Sequence, residues 1–487
     1  MHKRALPLAG LLLLALPATA FAGTPEPTAL KPSVAIDTVW VVLAALVVFF
    51  MQAGFAFLEI GFSRAKNAGT VVAKILTNLS VASLVYWACG FAFAFGNGKI
   101  IGHEGFFLSN YGDAQKTFGA MGFSAITPET KFFFQFAFAA VSLAIVWGTT
   151  LERIKFQVYI MYAVVFAAII YPIGSHWVFG GGWLQSSLGM QDFAGSTAVH
   201  MIGATGGLAA LLHLGARRGK YAKDGTPRAI PGHNMPLFGL GIFILWLGWF
   251  GFNPGSTLGA MDGRFTQIIL VTNLAAAAGV LGALITARIK QGTLDIGMAG
   301  NGAIAALVAI TAPSGYVDAW AAPIIGLVAG LGVPLCIYAI DKRLDDPVGA
   351  LSAHGIAGVW GTLSCGLFTD PTFAKYNGVG DGGLFYTGDF GQLGVQALGI
   401  VAVFAFVFAL SYGSFAVIKA MLGGSLRVSA DEEDAGLDIS EHGMYGYPEQ
   451  FIPAPELIGY TAPEPAVAAV TGRTGVAPTA TSTQVPA

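Results

Sequence analysis

Charge is scarce in this chain. Of 487 residues, 11% are Asp, Glu, Lys or Arg, against 55% of hydrophobic type. A soluble domain carries about 25% charged residues, so this composition cannot coat a water-facing surface of the required size. The same hydrophobicity excludes a disordered chain. Cysteine is nearly absent: Cys89, Cys336 and Cys365 all fall in apolar runs. An odd number, with no CxxC and no Cys/His cluster, gives neither a disulfide framework nor a metal site. No excess of one sign exists either, since 25 basic against 27 acidic residues leave a net charge of −2. Nothing therefore points to nucleic acid as a partner. There is no P-loop and no nucleophile with a partnered base, so neither an enzyme nor a cofactor is expected. What the chain has in plenty is glycine, 66 residues, which lets helix backbones approach closely in lipid.

The first 22 residues read as an address. Met1 to Arg4 is short and basic, an apolar run follows, and Ala20-Phe21-Ala22 precedes Gly23. That is the pattern of a secretory signal peptide with a small-x-small cleavage site, leaving 23–34 as a short periplasmic N-terminus. A cell inner membrane is then the expected location.

A span needs about 20 mostly apolar residues, and eleven are expected, at 36–62, 71–96, 131–151, 157–179, 192–214, 235–253, 265–287, 296–312, 320–340, 347–368 and 391–421. Backbone groups in lipid must bond internally, so these are helices. With the N-terminus outside, 16 Lys and Arg fall on the cytoplasmic side and 6 outside, the bias of the positive-inside rule. The C-terminus is then cytoplasmic.

Two spans share a pattern. Asp192, Gly195 and His200 in the fifth repeat as Asp346, Gly349 and His354 in the tenth. Five spans per half, an odd number, give the halves opposite orientation, the arrangement of inverted-repeat transporters. Repeat one runs over about 35–214, repeat two over about 235–369, and an eleventh span closes the domain at 391–421. Eight residues of helix rise about 12 Å, so the two histidines approach the midplane of a core about 30 Å thick from opposite sides. A histidine inside a span is a functional candidate by default. His176 and His213, at the ends of spans four and five, read instead as interfacial polar residues.

Aromatics crowd the outer ends of two spans. Trp249, Phe250 and Phe252 precede Asn253 to Ser256, and Phe132, Phe133, Phe134, Phe136 and Phe138 open span three. Taken alone they fit an interfacial belt as well as a cation site, in which aromatic faces attract the ion and Ser256 accepts a hydrogen bond.

The motifs Met51 to Glu59 with Arg64 to Asn67, Glu152-Arg153-Ile154, Asp192 to His200, Gly248 to Asn253, Asp346 to His354 and Gly436 to Gly443 together resemble the ammonium transporter family (Amt/MEP/Rh), on its Amt side. The resemblance covers about 35–447. It implies a homotrimer with one pore per subunit, each made of two five-helix halves and an eleventh helix. It implies that His200 and His354 are the paired pore histidines, that Phe138 and Phe252 form a stacked outer gate, and that Trp249 and Ser256 belong to an external recruitment site backed by Asp192. Gln135 and Thr311 match pore-lining positions. Where the family usually has Trp, this chain has Phe179 in His176-Trp177-Val178-Phe179, a weaker cation partner.

Ammonium, with methylammonium as analogue, is then the expected substrate, recruited outside, deprotonated and conducted as ammonia for nitrogen uptake. An ammonium sensor signalling through the tail, or a methylamine or gas channel, are the alternatives. The acidic stretch at 422–450 reads by itself as a solvated tail. The resemblance implies a regulatory arm carrying Asp438, Ser440, Glu441 and His442, docking on neighbouring subunits and answering to a PII-type signal protein. Residues 451–487, rich in Pro, Ala and Thr, are expected to be disordered.

Overall fold

The computed structural model describes residues 29–109 and 112–452. The expected signal peptide and the chain beyond 452 lie outside the described residues. Eleven apolar helical segments follow in order: α1 Pro32–Phe62, α2 Ala65–Phe95, α3 Pro128–Gly148, α4 156–179, α5 Ser196–Leu214, α6 Met235–Gly255, α7 Arg264–Gln291, α8 Ile296–Thr311, α9 Ala321–Asp341, α10 351–368 and α11 Gly391–Met421. Among the described residues, β-structure is limited to two isolated bridges, Ile154 with Arg427 and Tyr221 with Pro227. The fold is an all-α membrane domain of two inverted five-helix repeats plus α11, as expected.

Burial sorts the helices. In α3 and α5, 89% and 83% of the apolar window is buried, against 28% in α1 and 22% in α11. The first two are therefore the core, and the last two present apolar faces outward, as lipid-facing helices do. Glycine sets the close seam between α1 and α6. A Cβ at Gly61 would meet Phe238 N at 2.5 Å, and one at Gly241 would meet Leu58 N at 2.4 Å. Any larger residue there would push α1 off α6, the small-residue packing of membrane helices.

α11 belongs to neither repeat and fastens both. Gln396 donates through Nε2 to Gln191 O (2.6 Å) and Thr362 O (3.0 Å), while its Oε1 accepts from Gln191 N at 2.9 Å. One amide thus joins the start of α5 to α10 in an interior where unpaired polar groups are costly.

Two groups of helix ends define two faces. One carries the large vestibule described below; the opposite one carries the tail. The tail face holds a buried charge network. Arg217 makes a two-pronged pair with Asp345 (2.9 and 2.8 Å), and Arg64 pairs with Glu152 (2.6 Å). Arg153, fully buried, donates to the carbonyls of Gly215, Leu151, Thr149 and Asp345. Burial by itself would raise the Asp345 carboxyl, but the Arg217 guanidinium and the charge of Arg153 hold it down at about 2.

The acidic tail is not simply solvated. It folds into two short helices, Ala430–Ala435 and Leu437–His442, laid on the tail face of its own chain. Asp438, 1% exposed, accepts from Gly69 N, Thr70 N and Thr70 Oγ1, capping the start of α2. Carboxylates are favoured at such helix starts. Glu433 accepts from Arg427 and from Arg218 N. The side chain of Glu441 accepts from Phe156 N at the start of α4, and burial pushes that carboxyl above its usual range. His442 sits edge-on to the Phe156 ring at 4.8 Å, where burial lowers its imidazole. Ser440 donates to Gly436 O within the tail itself.

Candidate functional site

The repeated Asp-x-x-Gly pattern builds the same turn twice. Gly195 and Gly349 have φ of +117° and +75°, the left-handed region that glycine enters at no steric cost. Each is followed by a wide π-helical turn, Ser196–Met201 and Leu351–Ile356, a local distortion frequent at functional sites. Each turn carries its histidine. Asp192 caps the first through both oxygens, accepting from Gly195 N, Ser196 N, Thr197 N and Ala198 N at 2.7 to 3.0 Å. Asp346 accepts from Leu351 N at 2.7 Å.

The two histidines meet. His200 Nδ1 lies 3.2 Å from His354 Nδ1, with the rings 15° from coplanar directions. Between two imidazoles, one Nδ1 must donate and the other accept, so the pair holds opposite tautomers. His200 is fully buried and its Nε2 has no partner; His354 is 6% exposed. This leaves an unsatisfied polar edge in an apolar interior, available to a small polar molecule.

A vestibule of about 620 Å³ opens at one face, lined by Gln135, Phe138, Phe179, Asp192 and Ser256 among others. At its floor Phe138 stacks on Phe252, with ring centroids 3.9 Å apart and planes at 12°. The Phe252 ring centroid is 5.5 Å from that of His200. The order from the face inward is thus vestibule, stacked rings, histidine pair. Ser256 donates to Phe252 O at 2.8 Å, leaving its oxygen as an acceptor at the rim. Phe179 stacks on Phe95 at 6.0 Å and presents an aromatic wall.

Two expected site residues lie elsewhere. Trp249 is not at the mouth. It is fully buried, stacked on His200 at 5.3 Å and 15°, and donates to Thr311 Oγ1 at 2.9 Å. Thr311 in turn donates to Leu307 O and lines neither cavity; it props Trp249 against the histidine. His176, expected at the interface, is fully buried, its nitrogens 2.8 and 3.0 Å from Ala94 O and Gly98 O. It ties the end of α4 to the segment after α2. His213 is half-buried, 3.1 Å from Tyr412 O. Among the described residues, no group of three or more His, Cys, Asp or Glu is arranged to hold a metal ion.

Sequence reasoning missed the polar groups that join α1, α2 and α3. Lys74, one of the 16 cations assigned to the cytoplasmic side, is buried within α2 and paired with Glu59. Asn78 donates to Gln52 Oε1 and accepts from Trp147 Nε1, both at 3.1 Å. An ionisable residue inside an apolar run was the available signal.

The Ammonium Transporter Family model matches residues 39–447. The chain belongs to the ammonium transporter family. It is 43% identical over 457 residues to ammonium transporter Amt2 of Archaeoglobus fulgidus, covering 91% of this chain and 95% of that protein. It is 35% identical to the ammonium transporter of Bacillus subtilis, covering 84% and 98%. Among solved structures, a sensor Amt protein superposes with a TM-score of 0.76 at 36% identity, covering 84% of this transporter-family chain and 99% of the other. Candida albicans Mep2 superposes with 0.74 at 28% identity, covering 82% and 87%. The Archaeoglobus fulgidus and Bacillus subtilis relatives are named as transporters.

Proposed function

We propose that this protein gathers ammonium at the vestibule, passes its proton near the stacked rings to the hydrogen-bonded His200–His354 pair, whose His200 Nε2 is free to accept it, and conducts ammonia past them, for nitrogen uptake. The observation that carries the reading is the Nδ1 to Nδ1 contact of 3.2 Å beneath the Phe138–Phe252 stack. Moving a bare ion into a dry medium costs on the order of 20 kcal/mol, and burial disfavours the charged form of an amine. A cation that can become neutral avoids this cost. Potassium cannot, and is refused.

Residue roles follow from position. Ser256, Phe179 and Gln135 meet the cation, with Ser256 accepting an N–H. Asp192 holds the wide turn and adds negative potential at the vestibule edge. Phe138 and Phe252 are the gate. Trp249 and Thr311 hold His200 in place rather than receiving the ion. The vestibule faces outward and the tail face is cytoplasmic, in a cell inner membrane reached by way of the signal peptide at 1–22. We assign the protein to a homotrimer, and assign the tail to regulation by a PII-type partner.

The test is uptake of radiolabelled methylammonium by proteoliposomes, competed by ammonium and by potassium. Competition by ammonium alone is expected; equal competition by potassium overturns the reading. Similarity to a solved sensor Amt protein, and a tail folded onto the transport domain, support a second reading as an ammonium sensor. Uptake by the purified chain separates the two.

A further inference from the structure

A smaller cavity, of about 20 Å³, lies on the tail side of the histidine pair, lined by His354, Glu59, Phe55, Gly148, Asn301 and Val348 among others. A cavity needs about 10–15 Å³ of this kind to admit one water-sized molecule, so it has room for one ammonia. Glu59 is 1% exposed. Its Oε2 is held by Lys74 Nζ, which comes from α2, while its Oε1 is buried with no partner. A Cβ placed at Gly148, another residue of the cavity wall, would stand 3.9 Å from that same oxygen. A free oxygen on a buried carboxylate calls for an explanation. Service as an ion-pair anchor between α1 and α2 accounts for Oε2 and leaves Oε1 unexplained.

We propose that this cavity is an inner binding site for one molecule of ammonia or a small primary ammonium ion. Glu59 Oε1 accepts an N–H from the ligand, and His354 bounds it on the pore side. The assignment rests on the pore reading above. Lys74 fixes the carboxylate through Oε2, and the lack of any donor to Oε1 makes an N–H donor the fitting occupant. The site gives the conducted molecule a polar partner on leaving the histidines, at the point where it meets cytoplasmic water. It acts on ligand arriving from the tail face, because ligand from the vestibule is first selected by the outer site.

The experiment uses the full chain in proteoliposomes. Orientation is scored by protease cleavage of the tail, and half-saturation for radiolabelled methylammonium is measured from each face. Glu59→Gln should raise the tail-face value about tenfold, the loss expected for one hydrogen bond to a charged group, and leave the vestibule-face value within twofold. If Glu59→Gln does not fold, the double variant Glu59→Gln with Lys74→Met leaves no unpaired buried charge and is expected to show the same asymmetry. A tail-face value within twofold of wild type, or equal changes at both faces, overturns the site. If these appear while His354→Ala still abolishes transport, the pore reading stands and Glu59 is only an anchor. If the wild-type protein moves no methylammonium from either face, the pore reading itself fails.

Discussion

On the vestibule side of the histidine pair, Asp192 engages both carboxylate oxygens with four backbone N–H groups. At the tail end, Asp346 engages Leu351 N through Oδ2, and its Oδ1 has no partner. The turns are the same, the left-handed glycines correspond, and the histidines meet, yet the ends are finished differently. One opens into a vestibule of about 620 Å³; the other closes on a cavity of about 20 Å³ with a buried ion pair beside it. The comparison teaches that the repeated Asp-x-x-Gly turn supplies the histidine pair, while the two ends are finished by residues outside that turn. Phe179 and Ser256 line one end; Glu59, Lys74 and the Arg217–Asp345 pair lie at the other.

The sharpest way to break this comparison is to truncate both aspartates. Asp192→Ala removes the acceptor for four buried donors, and at about 1–1.5 kcal/mol for each hydrogen bond lost the cost is about 4 kcal/mol or more. Asp346→Ala should cost about 1–2 kcal/mol. Thermal unfolding of the purified protein in detergent checks both, and equal losses would mean that the two turns are finished alike.

The charge network at the tail end is the next lever. Asp345→Asn breaks a buried pair by removing one partner, which should cost about 3 kcal/mol. The Asp345 carboxyl is held at about 2, below the unfolded value of about 3.9. A depressed carboxylate contributes stability above its unfolded pKa and loses it as pH falls toward the folded one. The difference in melting temperature between Asp345→Asn and wild type should therefore stay constant from about pH 8 to pH 5 and shrink only below about pH 4. A difference that varies between pH 8 and 5 would detach the effect from this pair.

The smallest expected effect belongs to the vestibule. Phe179→Trp restores the stronger cation partner, worth about 0.5–1 kcal/mol at a partly exposed site, or a two- to fivefold lower half-saturation. It should appear in methylammonium uptake from the vestibule face and be absent from the tail face, the mirror image of Glu59→Gln.

The histidine pair was legible in the sequence because the turn that builds it is local: Asp, Gly at +3 and His at +8 fix cap, φ and side chain in one stretch. The spans were legible because the apolar runs are long and charge inside them is rare. Trp249 was misread for a geometric reason. It shares a helix face with Ser256, but seven residues of helix separate them by about 10 Å along the axis, so nearness in sequence put at the mouth a ring that stacks on His200. Glu59 and Lys74 sit on different helices, and nothing in either one names the other before α1 and α2 are packed. The tail by itself was read as solvated because Asp438 and Glu441 are held by backbone N–H groups at the starts of α2 and α4, which carry no residue signature.

The central claim is that the cation gives up its charge near the stacked rings and travels along the histidine pair as a neutral molecule. The most direct measurement is the competition of potassium with methylammonium uptake in proteoliposomes carrying wild type or His354→Ala. The account predicts uptake untouched by potassium in the wild type, and loss of uptake or of that selectivity in the variant. Unchanged uptake with unchanged selectivity in His354→Ala would contradict it.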